Sequence, residues 1–238
     1  MVAYYQWSRK LGNNILLVTV IHDSPYISTL TNISNKDKVS KYAYKLLVEK
    51  YVKNEHISVL KWENDLGQSI CQDNWSDYFK LIYRSTCINK FKFFQYRMQY
   101  RIIVTNKNLY MWNMHGDNLC TFCNQAEENL IHLFWECPVS RNIWNKLFNW
   151  FFNRTGLRVN VTVSQVMLGI QTISDLNTLL NIICIITKQY LYSCRCLNNC
   201  PGLDTLIFKI HNCEYIERAI AKKKDKLTLH SKKWEFII

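Results

Sequence analysis

Glycine and proline are scarce, at six and three of 238 residues. That scarcity excludes collagen-like, Gly/Ser-linker and proline-rich low-complexity architectures. With 48% hydrophobic residues it argues for a folded core rather than disorder. Acidic residues are also few, 18 against 30 lysines and arginines, giving a net charge of +12 and a pI of about 9.2. Such a balance suits a polyanionic partner or a merely basic protein. No Asp-Asp pair occurs, and apart from Glu127-Glu128 the acids stand singly. Two-metal phosphoryl transfer needs a carboxylate cluster, so no polymerase or nuclease centre is legible here. Long apolar runs are missing too. Ile182–Ile186 is bounded by Asn181 and Lys188 and falls short of a membrane span. The run Ile15–Ile21 follows Arg9-Lys10 but lacks a small-residue cleavage site, and reads as a buried strand rather than a signal peptide.

Cysteine, by contrast, is abundant at ten residues. With no secretory signal read at the start, a reducing intracellular compartment fits, and the sequons at Asn32 and Asn160 are then incidental. Four ligand-type residues, Cys120, Cys123, His132 and Cys137, stand at the spacing C-x2-C-x8-H-x4-C. A C-x2-C turn presents two thiolates to one point, and a histidine and a third thiolate complete a tetrahedron. Four protein donors leave no place for water, so the spacing predicts a structural Zn2+ site rather than a catalytic one. His115 is the rival imidazole. A second group, Cys194, Cys196, Cys200, His211 and Cys213, reads as buried thiols rather than a site.

Periodicity predicts a mainly α fold, a helical zinc-clamped CCHC module flanked by helical segments, with a few short strands. The expected division is an N-terminal segment 1–74, a zinc-binding module 75–155 and a C-terminal helical segment 156–238. Ser40 starts a candidate helix through Tyr51, and 54–74 reads as a polar connector. Helices are expected near 75–86, 88–104, 106–113, 126–136 and 138–153, then a strand over Leu157–Val163. A long buried helix over Leu176–Leu197, capped by Asp175, and a final helix over about 203–226 complete the chain. Asn124 and Glu127 form an N-x-x-E pattern, a capping-box-like start for the helix carrying His132.

From Lys80 to His115 there is no acidic residue. On a continuous helix Lys90, Arg97 and Arg101 fall in one narrow arc. With Lys92, Lys107 and the ring of Tyr100 they form the candidate nucleic-acid-binding row, cations for phosphates and a ring for a base. The plainer alternative is a solvated face, with Phe93 and Tyr100 in the core. Lys222, Lys223, Lys224, Lys226, Lys232 and Lys233 form a second basic patch, read as a phosphate contact, a nuclear-import signal or a solvated helix end.

The run Leu119–Cys123, the stretch Glu127–Pro138 with its His132-Leu133-Phe134 and Cys137-Pro138, and the downstream Trp144 together resemble the zinc-binding region of non-LTR (LINE-type) retrotransposon reverse transcriptases. Lys92–Arg97, Leu109–Trp112, Lys61–Gly67 and Trp75 resemble the lead-in of that family. The resemblance implies the C-terminal part of such an enzyme, with 1–74 as the connector from the polymerase thumb. It implies a non-catalytic module that binds zinc and RNA or DNA, sequence-tolerantly, with no membrane or small-molecule substrate. A polymerase core of a full-length relative would be a further partner. The competing readings are a relic, or a host-adopted zinc protein that contacts other proteins through Trp144, Trp150 and Phe151.

Overall fold

The computed structural model describes residues 57–237, apart from the side chains of 72–74. The expected strand at 15–21 and the helix from Ser40 lie outside these residues. Ten helices follow: α1 (Ile57–Leu66), α2 (Gln72–Ser85), α3 (Asn89–Gln99), α4 (Asn106–Met111), a π-turn (His132–Glu136), α5 (Pro138–Thr155), α6 (Val163–Leu168), α7 (Asp175–Cys196), α8 (Leu203–Lys223) and α9 (Leu227–Trp234). The fold is mainly helical, as expected. The few strands reduce, among the described residues, to one isolated antiparallel bridge between Leu119 and Glu127.

Helix α7 is the axis. Every residue from Leu179 to Lys188 is buried, and α2, α3, α8, α9 and the π-turn all pack on it. A helix apolar all round must be a central one. Its buried polar side chains fix its position. Asn181 accepts from the Ile170 N–H at 2.8 Å and donates to the Ile170 carbonyl at 3.1 Å. The Lys188 ammonium donates to Gln95 Oε1 at 2.7 Å and to the Met167 carbonyl at 3.0 Å. Gly169, at φ 120°, lies where a Cβ would come 3.3 Å from Leu81 and 3.5 Å from Asn181. Its left-handed backbone and the close approach both call for glycine.

Several local expectations are corrected. Residues 57–66 are not a polar connector but helix α1, because Val59 and Trp62 dock in the core and the Trp62 indole donates to the Gln99 carbonyl at 2.9 Å. Leu157–Val163 forms no strand. Val159, Val161 and Val163 do pack on the core alternately, but no neighbouring strand offers a ladder among the described residues, and Thr162 instead caps α6. Ser174, not Asp175, caps α7, its hydroxyl accepting the Asn177 N–H at 3.0 Å. The last helix breaks at Lys224–Lys226, with Asp225 at φ 50°, into α8 and α9. Helix α3 stops at Gln99: Arg101 takes φ 56°, and the Ile102 N–H returns to the Arg97 carbonyl at 2.8 Å, a Schellman-type end.

Burial pushes the Lys188 amine down to about 7 from its ordinary 10.5, with the nearby Cys184 thiol acting the other way. Between pH 7 and 9 the unfolded chain therefore holds a proton that the folded chain does not, and stability rises with pH. Above 9 the buried Cys184 thiol, raised to about 11 by burial, opposes that gain. Over this window Lys188, half-titrated at pH 7, contributes a rise of about 2 kcal/mol, at about 1.4 kcal/mol per unit. In denaturant melts of zinc-saturated protein, the gain from pH 7 to pH 9 should be smaller in Lys188→Met than in the wild type by about that amount, the zinc thiolates supplying the remainder in both.

Candidate metal centre

Three short pieces build the site. The first is a two-rung ladder around the Leu119–Glu127 bridge, where the Cys120 N–H donates to the Ala126 carbonyl and the Glu128 N–H to the Asn118 carbonyl, each at 2.8 Å. It carries a knuckle, Cys120 to Asn124, closed by the Asn124 N–H on the Cys120 carbonyl at 2.8 Å. Asn124 sits at φ 52°, a conformation asparagine tolerates better than most residues. It is therefore a turn residue, not a helix cap, and no helix starts at 126. The cap is Asn129, whose Oδ1 accepts the His132 N–H at 2.8 Å. A C-x2-C knuckle needs a reversing backbone, which the capping-box reading overlooked.

The second piece is the π-turn, closed by the Cys137 N–H on the His132 carbonyl at 2.8 Å. An i→i+5 turn sets residues five apart one above the other, which serves the His-x4-Cys spacing. The carbonyls that this widening displaces are taken by α5: the Ser140 hydroxyl donates to Leu133 and the Trp144 indole to Phe134, each at 2.6 Å. The third piece is the start of α5, with Cys137 at its N-cap and Pro138 at the first helical position.

These pieces bring Cys120, Cys123, His132 and Cys137 together, with all four ligand atoms within 4.8 Å of one another. The Cys120 and Cys137 sulfurs are 3.8 Å apart, and Cys123 Sγ is 3.3 Å from His132 Nε2. A zinc tetrahedron with bonds to sulfur of about 2.3 Å has a sulfur–sulfur edge of about 3.8 Å. Cys120, His132 and Cys137 are buried. Three thiols and one imidazole, with no carboxylate, fit zinc. His115 is exposed and bonds the Asp117 carbonyl at 2.8 Å instead.

The Cys137 thiol is pulled down from its ordinary range by the hydrogen bond from Cys120, against burial, and by the Ser140 and Val139 N–H groups at the helix start. Cys120 is pushed up by that same bond and by burial, against the Cys123 and Phe122 N–H groups of the knuckle. The backbone thus turns its donors toward the sulfurs. A zinc ion held by Cys120, Cys123, His132 and Cys137 would supply the positive charge that keeps all the sulfurs as thiolates and would tie knuckle to helix.

Sequence reasoning missed the groups that hold the knuckle in place. Glu128 is fully buried. Its carboxylate accepts from the Asn106 and Thr121 N–H groups, each at 2.9 Å, and from Arg195 Nε of α7 at 3.0 Å. Asn106 in turn donates to the Leu119 carbonyl at 2.7 Å. The one visible signal was that Glu127-Glu128 is the chain's sole adjacent acid pair.

The candidate nucleic-acid row is not kept together. Lys90 is exposed and Lys92 and Arg97 are half-buried on α3. Arg101 lies beyond the helix end, so the expected arc does not include it. It pairs with Asp65, donates to the Lys61 carbonyl at 3.3 Å and covers the Trp62 ring at 4.5 Å. Lys107 pairs with Glu127 at 2.7 Å. Tyr100 is packed with Tyr96 and Phe79, ring centres 4.6 and 5.2 Å away. The expected protein-binding aromatic surface is likewise internal: Trp144 and Phe151 are buried and Trp150 is half-buried. Among the described residues the C-terminal thiols form no second cluster.

Fold and cluster define a mainly helical protein built around a closed Cys3His metal site. Residues 39–144 match the family described as zinc-binding in reverse transcriptase. The match ends at Trp144, the indole that braces the π-turn. It covers no catalytic domain of a reverse transcriptase. No curated protein matches the chain. Among the described residues, no helix is long and apolar enough to cross a membrane.

Proposed function

We propose that this chain is a non-catalytic, zinc-stabilised nucleic-acid-binding module of a retrotransposon reverse transcriptase, gripping RNA or DNA with little sequence preference. The observation that carries the reading is a basic row on α3, Lys90 exposed and Lys92 and Arg97 half-buried, beside the metal-centred core. Lys90, Lys92 and Arg97 stand there with no acidic partner among the described residues, in the acid-free stretch of the sequence. The Cys3His shell is saturated by protein, so its zinc holds structure rather than activating water. Cations without carboxylate partners are free to neutralise phosphates.

The test is the salt dependence of binding. Each phosphate neutralised contributes about 0.7 to 0.9 to the log–log slope. Alanine at Lys90, Lys92 and Arg97 together should flatten the slope by roughly 2 to 3 units. Undiminished affinity and slope at low salt, on both RNA and DNA, would make the α3 row a solvated face only.

A further inference from the structure

The break between α8 and α9 has a consequence for the second basic patch. It turns Lys224 and Lys226 back toward α2 and α3, where they line one cleft of about 360 Å³ with Tyr83, Arg84 and Lys92. A second hollow of about 300 Å³, lined by Tyr83, Lys92, Phe93 and Tyr96, adjoins it through the two shared residues. Two basic stretches more than 130 residues apart in the chain thus meet at one groove.

The acid in the cleft wall is already committed. The Glu217 carboxylate is buried and pairs with Lys233, and it accepts from the Thr86 hydroxyl at 2.6 Å and the Trp234 indole at 3.0 Å. Its pKa is lowered: burial pushes up, but the Lys233 ammonium and these hydrogen bonds outweigh it. Arg84, Lys224 and Lys226 are exposed and have no acidic partner among the described residues. At the other end Tyr83 is 70% and Phe93 62% exposed, well beyond what core packing would leave. The Lys92 ammonium sits 5.3 Å from the Tyr83 ring centre, and the Arg97 guanidinium 5.9 Å from that of Phe93.

We infer that this groove binds a single strand of nucleic acid, its phosphates on Arg84, Lys92, Lys224 and Lys226 and its bases on Tyr83 and Phe93. The inference rests on the proposed nucleic-acid function and adds the strand state and the path. Exposed rings can stack only on unpaired bases, whereas a duplex shields its base faces. Cations along a strand's path supply affinity without sequence choice. An acidic protein segment without aromatic residues, such as polyglutamate, would use the cations but has no planar groups for the rings.

The experiment uses the zinc-loaded full chain and three probes: labelled oligouridylate, its duplex with oligoadenylate, and a polyglutamate peptide. Oligouridylate should bind tightest. Replacing Tyr83 or Phe93 by alanine should weaken it by about 5- to 150-fold with little change in salt slope. Alanine at Arg84, Lys224 and Lys226 together should lower the slope by about 2 units. Lys146→Ala on α5 is the control, and unchanged zinc content and melting temperature verify folding of each variant. If nucleic acid binds and the α3 variant weakens it while both groove sets do not, the groove is overturned and the α3 reading stands. If no nucleic acid binds at all, both fall. Duplex or polyglutamate binding as tightly as oligouridylate would overturn the single-strand assignment.

Discussion

Cys123→Ser should lose the metal and unfold the segment about 115–152 at neutral pH. Cys123 is one corner of a four-donor cluster whose atoms lie within 4.8 Å of one another. Structural zinc contributes on the order of 10–16 kcal/mol in small zinc domains. That is as large as the whole stability of an ordinary domain, about 5–15 kcal/mol. The knuckle has little else to hold it. Cys123 itself is half-buried, Asn124 to Ala126 are exposed, and the ladder has only one bridge. Helix α7 keeps its own packing against α2, α3, α8 and α9, so its amide protection should outlast that of the knuckle. Chelation of wild-type protein should reproduce the pattern. Elemental analysis and hydrogen exchange would read it. A serine variant with full zinc content and an unchanged melting temperature would refute the assignment.

Glu128→Ala should cost about 3–5 kcal/mol, the usual penalty for removing one partner of a buried ion pair. The loss leaves the Arg195 guanidinium, whose side chain is 10% exposed, without its carboxylate. It also frees two backbone N–H groups, at Asn106 and Thr121. Thirteen residues separate Asn106 from Leu119 in the chain, yet both meet at this carboxylate's neighbourhood. The variant should also bind zinc more weakly, because Thr121 lies inside the C-x2-C knuckle. Glu127→Ala, which removes only a part-exposed pair with Lys107, should change stability by less than about 1 kcal/mol. Chemical denaturation of the two variants side by side checks the contrast. Equal effects would mean that Glu128 is no more than a surface charge.

The predictable and unpredictable parts of the chain divide along physical lines. Ligand identity was legible because tetrahedral zinc chemistry acts over short sequence distances, and 18 residues hold all four donors. The central helix was legible because Leu179–Ile186 is apolar at every position but Asn181, a pattern few other structures accommodate. Helix ends were less so. Arg101 leaves α3 to join Asp65, and a left-handed residue at 101 cannot be read from helical spacing. The valines at 159, 161 and 163 alternate as a strand would, but a ladder needs a neighbour that only the assembled fold can provide.

Sequence alone therefore determined the helical class, the Cys3His ligand set and the basic, acid-poor character of the lead-in. Each is set by composition or by contacts within a few turns of chain. Tertiary structure decided which charges are spent and which remain. It committed Arg101, Lys107 and Lys233 to carboxylates, packed Tyr100 against its neighbours, and set Lys224 and Lys226 beside Lys92. Charge pairing depends on distances between residues far apart in the chain, and those distances exist only once the helices have packed.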